Sequence, residues 1–281
     1  MIYISDAVIE RLIHEDVPCL DLTTRTLGIR DDPATLQLTT REQTTVCGTE
    51  EAARVCDRLG CRLVASCPSG TTLDAGELLL EVEGGAAALH QAWRVCLNLL
   101  EACSGIATRT AALVEAARSV APHIEVLTTR KHFPGTKELS VKAVVAGGGL
   151  PHRLGLSETL LAFEQHRVFC GGVEGLAGQV ASWRRTAVEK KTIVEVTSLE
   201  DARTLALAGV DGLQFDKIPA GTLGEWVRVL RRDRPGIVLL TAGGITARNA
   251  ADHAATGVDA LVTSSVYHGA PSDLSARMIP L

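Results

Sequence analysis

Basic side chains are concentrated in one part of an otherwise acidic chain. Residues 128–153 carry five Lys or Arg and two His against one acid, Glu138, whereas the 281-residue chain has a formal net charge of −5. A basic cluster on an acidic background indicates a place that binds an anion. Glycines around it, such as Gly135 and Gly147–Gly149, let the backbone approach a ligand closely and offer N–H groups to oxyanions. The cluster predicts a site for small anionic substrates, phosphorylated ones above all.

Further polar residues lie at the ends of short apolar segments that are typical of strands. The candidate strands cover residues 124–130, 159–164, 192–198, 212–218, 237–244 and 260–266. Helical patterns of about 10–15 residues lie between them, and this alternation predicts a parallel sheet long enough to curl into a barrel. In such barrels the catalytic residues come from the carboxyl ends of several strands.

The polar residues at these predicted strand ends form the candidate site. Arg130 and Lys131 end the first strand, and Asp216 ends the fourth. Glu195 lies within the third strand and faces the barrel interior if its two valine neighbours face the helices. A structural ion pair is the alternative role for Glu195. The convergence of these residues on one face of the barrel favours a functional site.

Two small-residue pairs predict a phosphate site on the same face. Gly243-Gly244 ends the fifth candidate strand and opens a predicted helix at Ile245-Thr246, and Ser264-Ser265 ends the last strand. Backbone N–H groups at a glycine turn before a helix bind phosphate well, and hydroxyl groups on the neighbouring strand can assist. A tight turn with no ligand is the alternative for Gly243-Gly244.

Composition narrows the class of protein. Hydrophobic residues make up 46% of the chain and aromatic residues only 3%, so the core must be aliphatic. Few aromatics and a negative net charge argue against nucleic-acid binding. No apolar run approaches the roughly 20 residues of a membrane span, and the N-terminus lacks the apolar region of a signal peptide. The cytoplasm is the expected location. The eight cysteines include no CxxC pair, so small buried thiols are expected rather than a zinc site.

The first hundred residues have a different pattern of predicted strands and helices. Residues 36–46, 61–66 and 76–83 alternate in the manner of strands, and residues 5–15, 49–59 and 86–103 have helical patterns. This part predicts an α+β domain that precedes the βα repeats.

Four sequence motifs resemble those of a known family. TTRK (128–131), GGGLPHRLGL (147–156), VEV (194–196) and AGGIT (242–246) resemble the type II phosphoribosyltransferases, which are represented by quinolinate phosphoribosyltransferase. The resemblance runs almost end to end and includes LNLLEACSGIAT at residues 97–108. Residues 128–169 are more similar still to a subgroup of this family that is associated with molybdenum transport.

The resemblance implies a fold and an assembly. It implies an N-terminal α/β sandwich domain over residues 1–107, to which a C-terminal tail at 267–281 returns. It also implies an open parallel α/β barrel, similar to a TIM barrel, over residues 108–266. The family further implies a homodimer or higher homo-oligomer in which each active site lies at a subunit interface.

The resemblance also implies roles for individual residues. Arg130, His152 and Arg153 would hold the carboxylates of a pyridine acid, and Arg94 would reach in from the neighbouring subunit. Lys131 would contact the donor, phosphoribosyl pyrophosphate. The remaining implied contacts are ribose hydroxyls and Mg²⁺ at Glu195 and Asp216, and the 5-phosphate at Gly243 and Gly244.

Departures from the family pattern bear on the acceptor. A lysine of the family is Phe163 here, and the acids of an E-V-E-V-D segment become Ile193 and Thr197 around Glu195. Lys217 replaces the usual asparagine after Asp216. The family's E-A-S-G-G-I turn is residues 240–245 here, LTAGGI, and Ser264 replaces a glycine. A pocket that exchanges lysine for phenylalanine has lost a cationic partner, and an unpaired buried carboxylate is costly.

Three functions follow from these observations. The leading hypothesis is a phosphoribosyltransferase that acts on a ring nitrogen of a small heterocyclic acid other than, or less charged than, quinolinate. A quinolinate phosphoribosyltransferase of NAD biosynthesis with an altered pocket is the second. The third is a non-catalytic protein that binds molybdate or a related anion. Glu195 and Asp216 discriminate, because carboxylates repel a tetrahedral oxyanion but suit ribose hydroxyls and Mg²⁺.

Overall fold

The computed structural model describes residues 2–281, which form two compact units. One unit contains the residues up to Ala111 together with His132–Gly148 and Tyr267–Leu281, and the other contains Ala112–Lys131 and Gly149–Val266. The domain boundaries expected from the sequence differ from this division. They assign residues 132–148 to the barrel, whereas the structure places these residues in the first unit.

Ten helices and thirteen strands are present in the described residues. The helices are α1 (Asp6–Asp16), α2 (Leu22–Thr26), α3 (Thr49–Arg58), α4 (Ala86–Arg118), α5 (Lys137–Ala146), α6 (Glu164–Arg167), α7 (Gly172–Thr186), α8 (Leu199–Ala208), α9 (Ala220–Asp233) and α10 (Ala250–Ala254). The strands are β1 (Pro33–Thr40), β2 (Thr44–Thr45), β3 (Arg62–Ser66), β4 (Thr72–Leu73), β5 (Leu78–Gly85), β6 (Glu125–Thr128), β7 (Leu150–Pro151), β8 (Leu160–Ala162), β9 (Thr192–Val196), β10 (Gly212–Asp216), β11 (Val238–Ala242), β12 (Ala260–Thr263) and β13 (Leu274–Pro280).

The first unit is built on an antiparallel sheet with strand order β13-β1-β5-β3. Its core is aliphatic, as the composition predicts, and includes the buried residues Leu36, Leu80 and Leu100. Five of the eight cysteines, Cys47, Cys56, Cys61, Cys96 and Cys103, are buried in it, and all eight are free thiols. The C-terminal strand β13 completes the sheet by pairing with β1, for example Thr35 with Ile279.

Helix α4 is much longer than the pattern predicts. The predicted helix covers residues 86–103, but α4 continues through Gly105 to Arg118. A Cβ atom on Gly105 would lie 3.0 Å from the carbonyl oxygen of Ala270. The glycine therefore permits a close approach of the C-terminal segment, and it does not mark the end of the helix.

The second unit contains a seven-stranded parallel sheet with the order β7-β6-β12-β11-β10-β9-β8. Because β7 and β8 are the two edge strands, the sheet forms an open half-barrel, which confirms the predicted fold class. Alternate residues face opposite sides. Val194 and Val196 are fully buried on one side of β9, and Ile193 belongs to the cluster of interior residues that includes Leu240 and Val262.

The barrel strands are shorter than their apolar patterns. Strand β6 ends at Thr128, β11 at Ala242 and β12 at Thr263. The predictions that Arg130 and Lys131 end the first strand and that Ser264-Ser265 ends the last are therefore wrong by one to three residues, since ladder pairing stops earlier and these residues lie in the following loops. None of the described helices is long and apolar enough to span a membrane.

A buried lysine holds two carboxylates in the first unit. The Nζ atom of Lys142 on α5 lies 2.8 Å from Oε2 of Glu50 and 2.5 Å from Oε2 of Glu51, and Lys142 is only 5% exposed. Burial alone would raise the pKa of Glu50, but hydrogen bonds from Lys142 and Ser69 lower it to about 2. Removing one member of such a buried group leaves the others without compensation.

We predict that Lys142→Met lowers the free energy of unfolding by about 3–5 kcal/mol, because the buried carboxylate of Glu51 and the half-buried one of Glu50 lose their cation. The exposed Lys137 lies on the same helix, and Lys137→Met should change it by no more than about 0.5 kcal/mol. Urea unfolding at equal protein concentration measures both values.

The same group has a pH signature. The pKa of Glu50 falls from 4.5 to about 2 on folding, so its stabilising contribution is complete above pH 4.5 and is lost as the pH falls toward 2. The native chain should lose stability across that range more steeply than Lys142→Met. Equal slopes for the two proteins would contradict this assignment.

Candidate active site

All seven barrel strands contribute to one cavity of about 820 Å³. Its lining residues lie at or just beyond the carboxyl ends of the strands, where barrel enzymes carry their chemistry. Every predicted site residue except Arg94 lines it: Arg130, Lys131, His152, Arg153, Phe163, Glu195, Asp216, Gly243, Gly244, Ser264 and Ser265. The convergence that the strand pattern predicts is therefore present in the fold.

One part of the cavity is cationic. Arg130, Lys131 and Arg153 form no ion pair within 4.0 Å among residues 2–281. Burial and the charge of Arg130 lower the pKa of Arg153. Unpaired guanidinium groups close together favour an anionic ligand, because a carboxylate accepts hydrogen bonds from the planar fork of an arginine.

His152 adds a neutral ring to this part. Its backbone N–H donates to the carbonyl oxygen of Thr128 at 2.9 Å, which pairs the loop after β7 with β6. Burial, followed by the charge of Arg153, lowers the pKa of His152, so the ring is neutral near pH 7. Its Nε2 atom is buried and has no hydrogen-bond partner among the described residues. An unsatisfied buried nitrogen of this kind favours a ligand that completes the hydrogen bond.

Two carboxylates lie on neighbouring strands of the cavity wall. Glu195 of β9 accepts a hydrogen bond from Nε2 of Gln214 at 2.9 Å, and the two residues are paired in register. Burial raises the pKa of Glu195, and the charge of Asp216 raises it further. The Oε1 atom of Gln214 is buried without a partner in the described chain. These groups can accept hydrogen bonds from hydroxyl groups or bind a hydrated cation.

A close backbone contact fixes the end of β10. A Cβ atom on Gly243 would lie 2.5 Å from Cγ of Lys217 and 2.7 Å from Oδ1 of Asp216, so only glycine fits. The N–H of Lys217 donates to the carbonyl oxygen of Ala242 at 2.8 Å. Lys217 itself has φ of +57° and is the one described non-glycine residue with positive φ. Such a conformation costs about 1–3 kcal/mol and is concentrated at functional sites.

The predicted phosphate turn has a different local structure from the expected one. Gly243 and Gly244 have φ of +86° and +75°, but α10 begins only at Ala250, so no helix opens directly at Ile245-Thr246. Instead, the N–H of Thr246 donates to Oδ1 of Asn249 at 2.8 Å, and Nδ2 of Asn249 donates to the carbonyl oxygen of Gly244 at 3.1 Å. The side-chain amide of Asn249 stabilises the turn where the pattern predicts a helix.

Hydroxyl groups lie opposite this turn. Oγ1 of Thr263 donates to the carbonyl oxygen of Ile245 at 2.7 Å and lies 2.9 Å from Oγ of Ser265. The N–H of Ser265 donates to Oγ1 of Thr263 at 3.0 Å. Thr263 therefore ties the end of β12 to the turn after β11 and orients Ser265.

Phe163 is held in place at the end of β8. Its N–H donates to Nδ1 of His166 at 3.1 Å, and the two rings stack at 6.0 Å between centroids and 28° between planes. Cζ of Arg153 lies 5.8 Å from the centre of the phenyl ring. The ring thus presents a fixed apolar face beside the arginines.

Arg94 does not belong to this cavity. It is an exposed residue of α4 in the first unit, and its guanidinium lies over the ring of Trp93 at 5.0 Å. Its implied contact with the acceptor from a neighbouring subunit stays a prediction.

Several lining residues were missed in the sequence. Gln214 could have been found, because it lies two residues before Asp216 on the same strand face. Lys217 was noted only as a departure from the family pattern, although asparagine, which tolerates positive φ, is the usual residue there. Thr246 and Thr263 carry no pattern that distinguishes them from ordinary turn and strand residues.

The cavity thus combines cations for an anionic ligand, carboxylates for hydroxyl groups and a glycine turn whose backbone a phosphate can approach.

Known proteins contain the same two domains. Family models for the N-terminal and C-terminal domains of quinolinate phosphoribosyl transferase match residues 21–104 and 106–276.

Individual relatives match over nearly their whole length. A protein of Rhodobacter capsulatus provisionally named pyrophosphorylase ModD is 43% identical over 251 residues, which are 89% of this chain and 96% of that one. The carboxylating nicotinate-nucleotide pyrophosphorylase of Mycobacterium leprae is 35% identical over 267 residues, or 92% of each chain. The crystal structure of NadC from Streptococcus pyogenes superposes with a TM-score of 0.88 at 28% identity and covers 98% of this chain and 96% of that one.

These matches cover both domains and the whole cavity, and they confirm the family that the motifs resemble. The chain belongs to the quinolinate phosphoribosyltransferase family of pentosyltransferases, and among its relatives it is ModD-like.

Proposed function

We propose that the protein transfers the phosphoribosyl group of phosphoribosyl pyrophosphate to a ring nitrogen of a small heterocyclic acid and releases pyrophosphate. The observation that carries this proposal is the presence of two carboxylates and three unpaired cations in one cavity. Phosphoribosyl pyrophosphate combines phosphates with ribose hydroxyls, so it needs both signs of charge. A molybdate-binding protein would gain nothing from Glu195 and Asp216, since they repel the oxyanion.

The donor fits the cavity from the glycine turn to the carboxylates. Gly243 and Gly244, with the hydroxyl groups of Ser264 and Ser265, would hold the 5-phosphate. Glu195 and Asp216 would accept hydrogen bonds from the ribose hydroxyls. Lys131, which is exposed, would contact the pyrophosphate.

Lys217 adds a further cation to the donor site. Its side chain is 78% exposed, and Nζ lies 3.8 Å from Oδ2 of Asp216, so the ammonium group is free to turn toward phosphate oxygens. Lys217, whose backbone has positive φ, lines the cavity.

Mg²⁺ is the cofactor that this donor site suits. Residues 2–281 contain no group of three His, Cys, Asp or Glu side chains that could hold a metal by themselves. Mg²⁺ commonly keeps several waters and binds through one or two carboxylates together with substrate phosphates, so Glu195 and Asp216 fit a metal that arrives with the donor. When bound, the ion would offset negative charge on the pyrophosphate.

The reaction requires positioning and charge stabilisation more than proton transfer. The bond between C1 of the ribose and the pyrophosphate oxygen breaks, and the leaving pyrophosphate keeps the electron pair. The ring nitrogen of the acceptor supplies the pair for the new C1–N bond. Glu195 and Asp216 orient the ribose, and Lys131 and Lys217 stabilise the charge that develops on pyrophosphate.

The acceptor would lie among Arg130, His152 and Arg153, with the ring face of Phe163 beside it. The arginines hold one acid group, and the unpaired Nε2 of His152 can complete a hydrogen bond. Phenylalanine offers stacking but no charge for a second carboxylate. We therefore propose an acceptor with at most one strongly held acid group, which disfavours quinolinate. Lys137 or Lys142 as a substitute cation is the alternative, although Lys142 is already paired with Glu50 and Glu51.

We also propose a homodimer in which Arg94 completes the neighbouring site. Arg94 is exposed and lies outside the cavity of its own chain, as this role requires. The proposed location is the cytoplasm, where eight free thiols are stable. The link to molybdenum transport stays a prediction.

The first test is pyrophosphate release from phosphoribosyl pyrophosphate and Mg²⁺ with a series of pyridine and azole monocarboxylates. We expect release with at least one of them. Asp216→Asn should weaken donor binding by about 1–3 kcal/mol, because a charged acceptor of hydrogen bonds is lost. Asp252→Asn, at an exposed position of α10 outside the cavity, is the matched control. If Asp216→Asn binds the donor as tightly as the native protein does, the proposed donor site is wrong.

The second test concerns the acid groups of the acceptor. Phe163→Lys should raise kcat/KM for quinolinate by roughly 10–150-fold, the equivalent of one hydrogen bond to a charged group. Phe163→Leu keeps the pocket apolar and should leave quinolinate a poor substrate. Steady-state kinetics with quinolinate and nicotinate measures both. Efficient quinolinate turnover by the native protein, unchanged in Phe163→Lys, would show that the acceptor assignment is wrong.

The third test concerns the shared site. Arg94→Ala and Arg130→Ala should each be inactive alone, but an equal mixture should regain about a quarter of native activity. Random exchange places half of the chains in mixed dimers, each with one intact site of two. Mixing each variant with itself is the control. A fully active monomer, or a mixture as inactive as its parts, would rule out sharing.

A further inference from the structure

A second cavity of about 570 Å³ lies beside the active-site cavity. It is lined by residues of the edge strand β8, of α7 and of the loop after β7. Arg130, Arg153, Leu161 and Phe163 line both cavities. These four side chains therefore form the boundary between the place proposed for the acceptor and the second cavity.

The lining of the second cavity is apolar beyond that boundary. Leu156, Leu160, Ala162, Leu176 and Trp183 contribute to it. Its other members include neutral polar residues and His166, and no carboxylate, lysine or further arginine is among them. A charged group placed there would lose water without gaining an ion-pair partner, whereas an apolar group would gain from burial.

The boundary itself separates charge from apolar surface. Arg153 lies over one part of the Phe163 ring at 5.8 Å, while His166 stacks on that ring and accepts the hydrogen bond of its backbone N–H. The ring is therefore fixed as a flat wall. An acid group held by Arg130 and Arg153 would lie at this wall, and a substituent on the same heterocycle could extend past it.

We propose that the second cavity binds an apolar substituent of the acceptor. This inference rests on the proposed function and names the substrate class more closely: a planar nitrogen heterocycle with one acid group and a bulky apolar substituent, instead of a bare pyridine acid. The volume of the second cavity lies within the roughly 300–1,000 Å³ of cavities that hold drug-sized ligands, so the cavity has room for more than a methyl group.

Cys170 offers a test in the native chain. It is half-buried and lines the second cavity, whereas Cys19 is exposed and lies outside both cavities. We expect 5-phenylnicotinate to slow the alkylation of Cys170 by N-ethylmaleimide, and nicotinate to leave it nearly unchanged. The rate at Cys19 should not change with either compound. Mass spectrometry of the labelled peptides measures both sites, and no protection of Cys170 would overturn the proposal.

Affinity gives the second measurement. By calorimetry, 5-phenylnicotinate should bind the native protein roughly tenfold more tightly than nicotinate, which corresponds to about 1.4 kcal/mol. Ala162→Leu fills the second cavity and should abolish this preference while it preserves the affinity for nicotinate. Ala177→Leu, at a half-buried position of α7 outside both cavities, should retain the preference. Equal affinity for the two compounds in the native protein would contradict the proposal.

Donor binding, measured on the same samples, separates this inference from the proposed function. Donor binding without a preference for the phenyl compound would overturn the second-cavity assignment alone. A preference without donor binding would support the cavity and overturn phosphoribosyl transfer. If Ala162→Leu changes the dissociation of the dimer but not the preference, a second copy of the chain covers the cavity and the proposal is wrong.

Discussion

The close approach of two strand ends governs the geometry of the donor site. Gly243 lies so near Asp216 and Lys217 that a Cβ atom there would overlap both side chains. The hydrogen bond from the N–H of Lys217 to the carbonyl oxygen of Ala242 holds β10 and β11 together at this point. Lys217 has positive φ at this contact, next to the backbone of Asp216. One carboxylate, the backbone of one lysine and the glycine turn are thereby set relative to one another before a ligand binds, which lowers the ordering cost of binding.

Charge separation across the barrel mouth follows from the same topology. The carboxyl ends of parallel strands lie at one face of the sheet. One cavity therefore contains the arginines after β6 and β7 and the carboxylates of β9 and β10, and no arginine of the described chain lies within 4.0 Å of these carboxylates. Arg130 and Arg153 stay unpaired among the described residues, and the ion pair of Asp216 with Lys217 is long, at 3.8 Å, so these groups retain their capacity to bind a ligand of mixed character. Burial raises the pKa of Glu195 and lowers that of His152, because a charged form loses hydration in this part of the cavity.

Much of this arrangement could be predicted from the sequence. Period-two alternation placed Glu195 opposite to Val194 and Val196, and the alternation of strands and helices predicted the parallel barrel, because both depend on local patterns. Local patterns did not predict the end of α4, strand β13 or the start of α10, since each depends on tertiary contact. The return of the C-terminal tail was implied only by the family resemblance. Gly105 accommodates the backbone of Ala270, β13 has a partner only in β1, and Asn249 replaces the first turn of a helix. The positive φ of Lys217 and its close approach to Gly243 are likewise encoded by no local pattern.

Titration calorimetry with phosphoribosyl pyrophosphate, with and without Mg²⁺, and with molybdate tests the central claim most directly. The account predicts that the donor binds, that Mg²⁺ strengthens its binding, and that molybdate binds far more weakly and does not displace it. Tight molybdate binding that excludes the donor, or no binding of the donor under any condition, would contradict a phosphoribosyltransferase site.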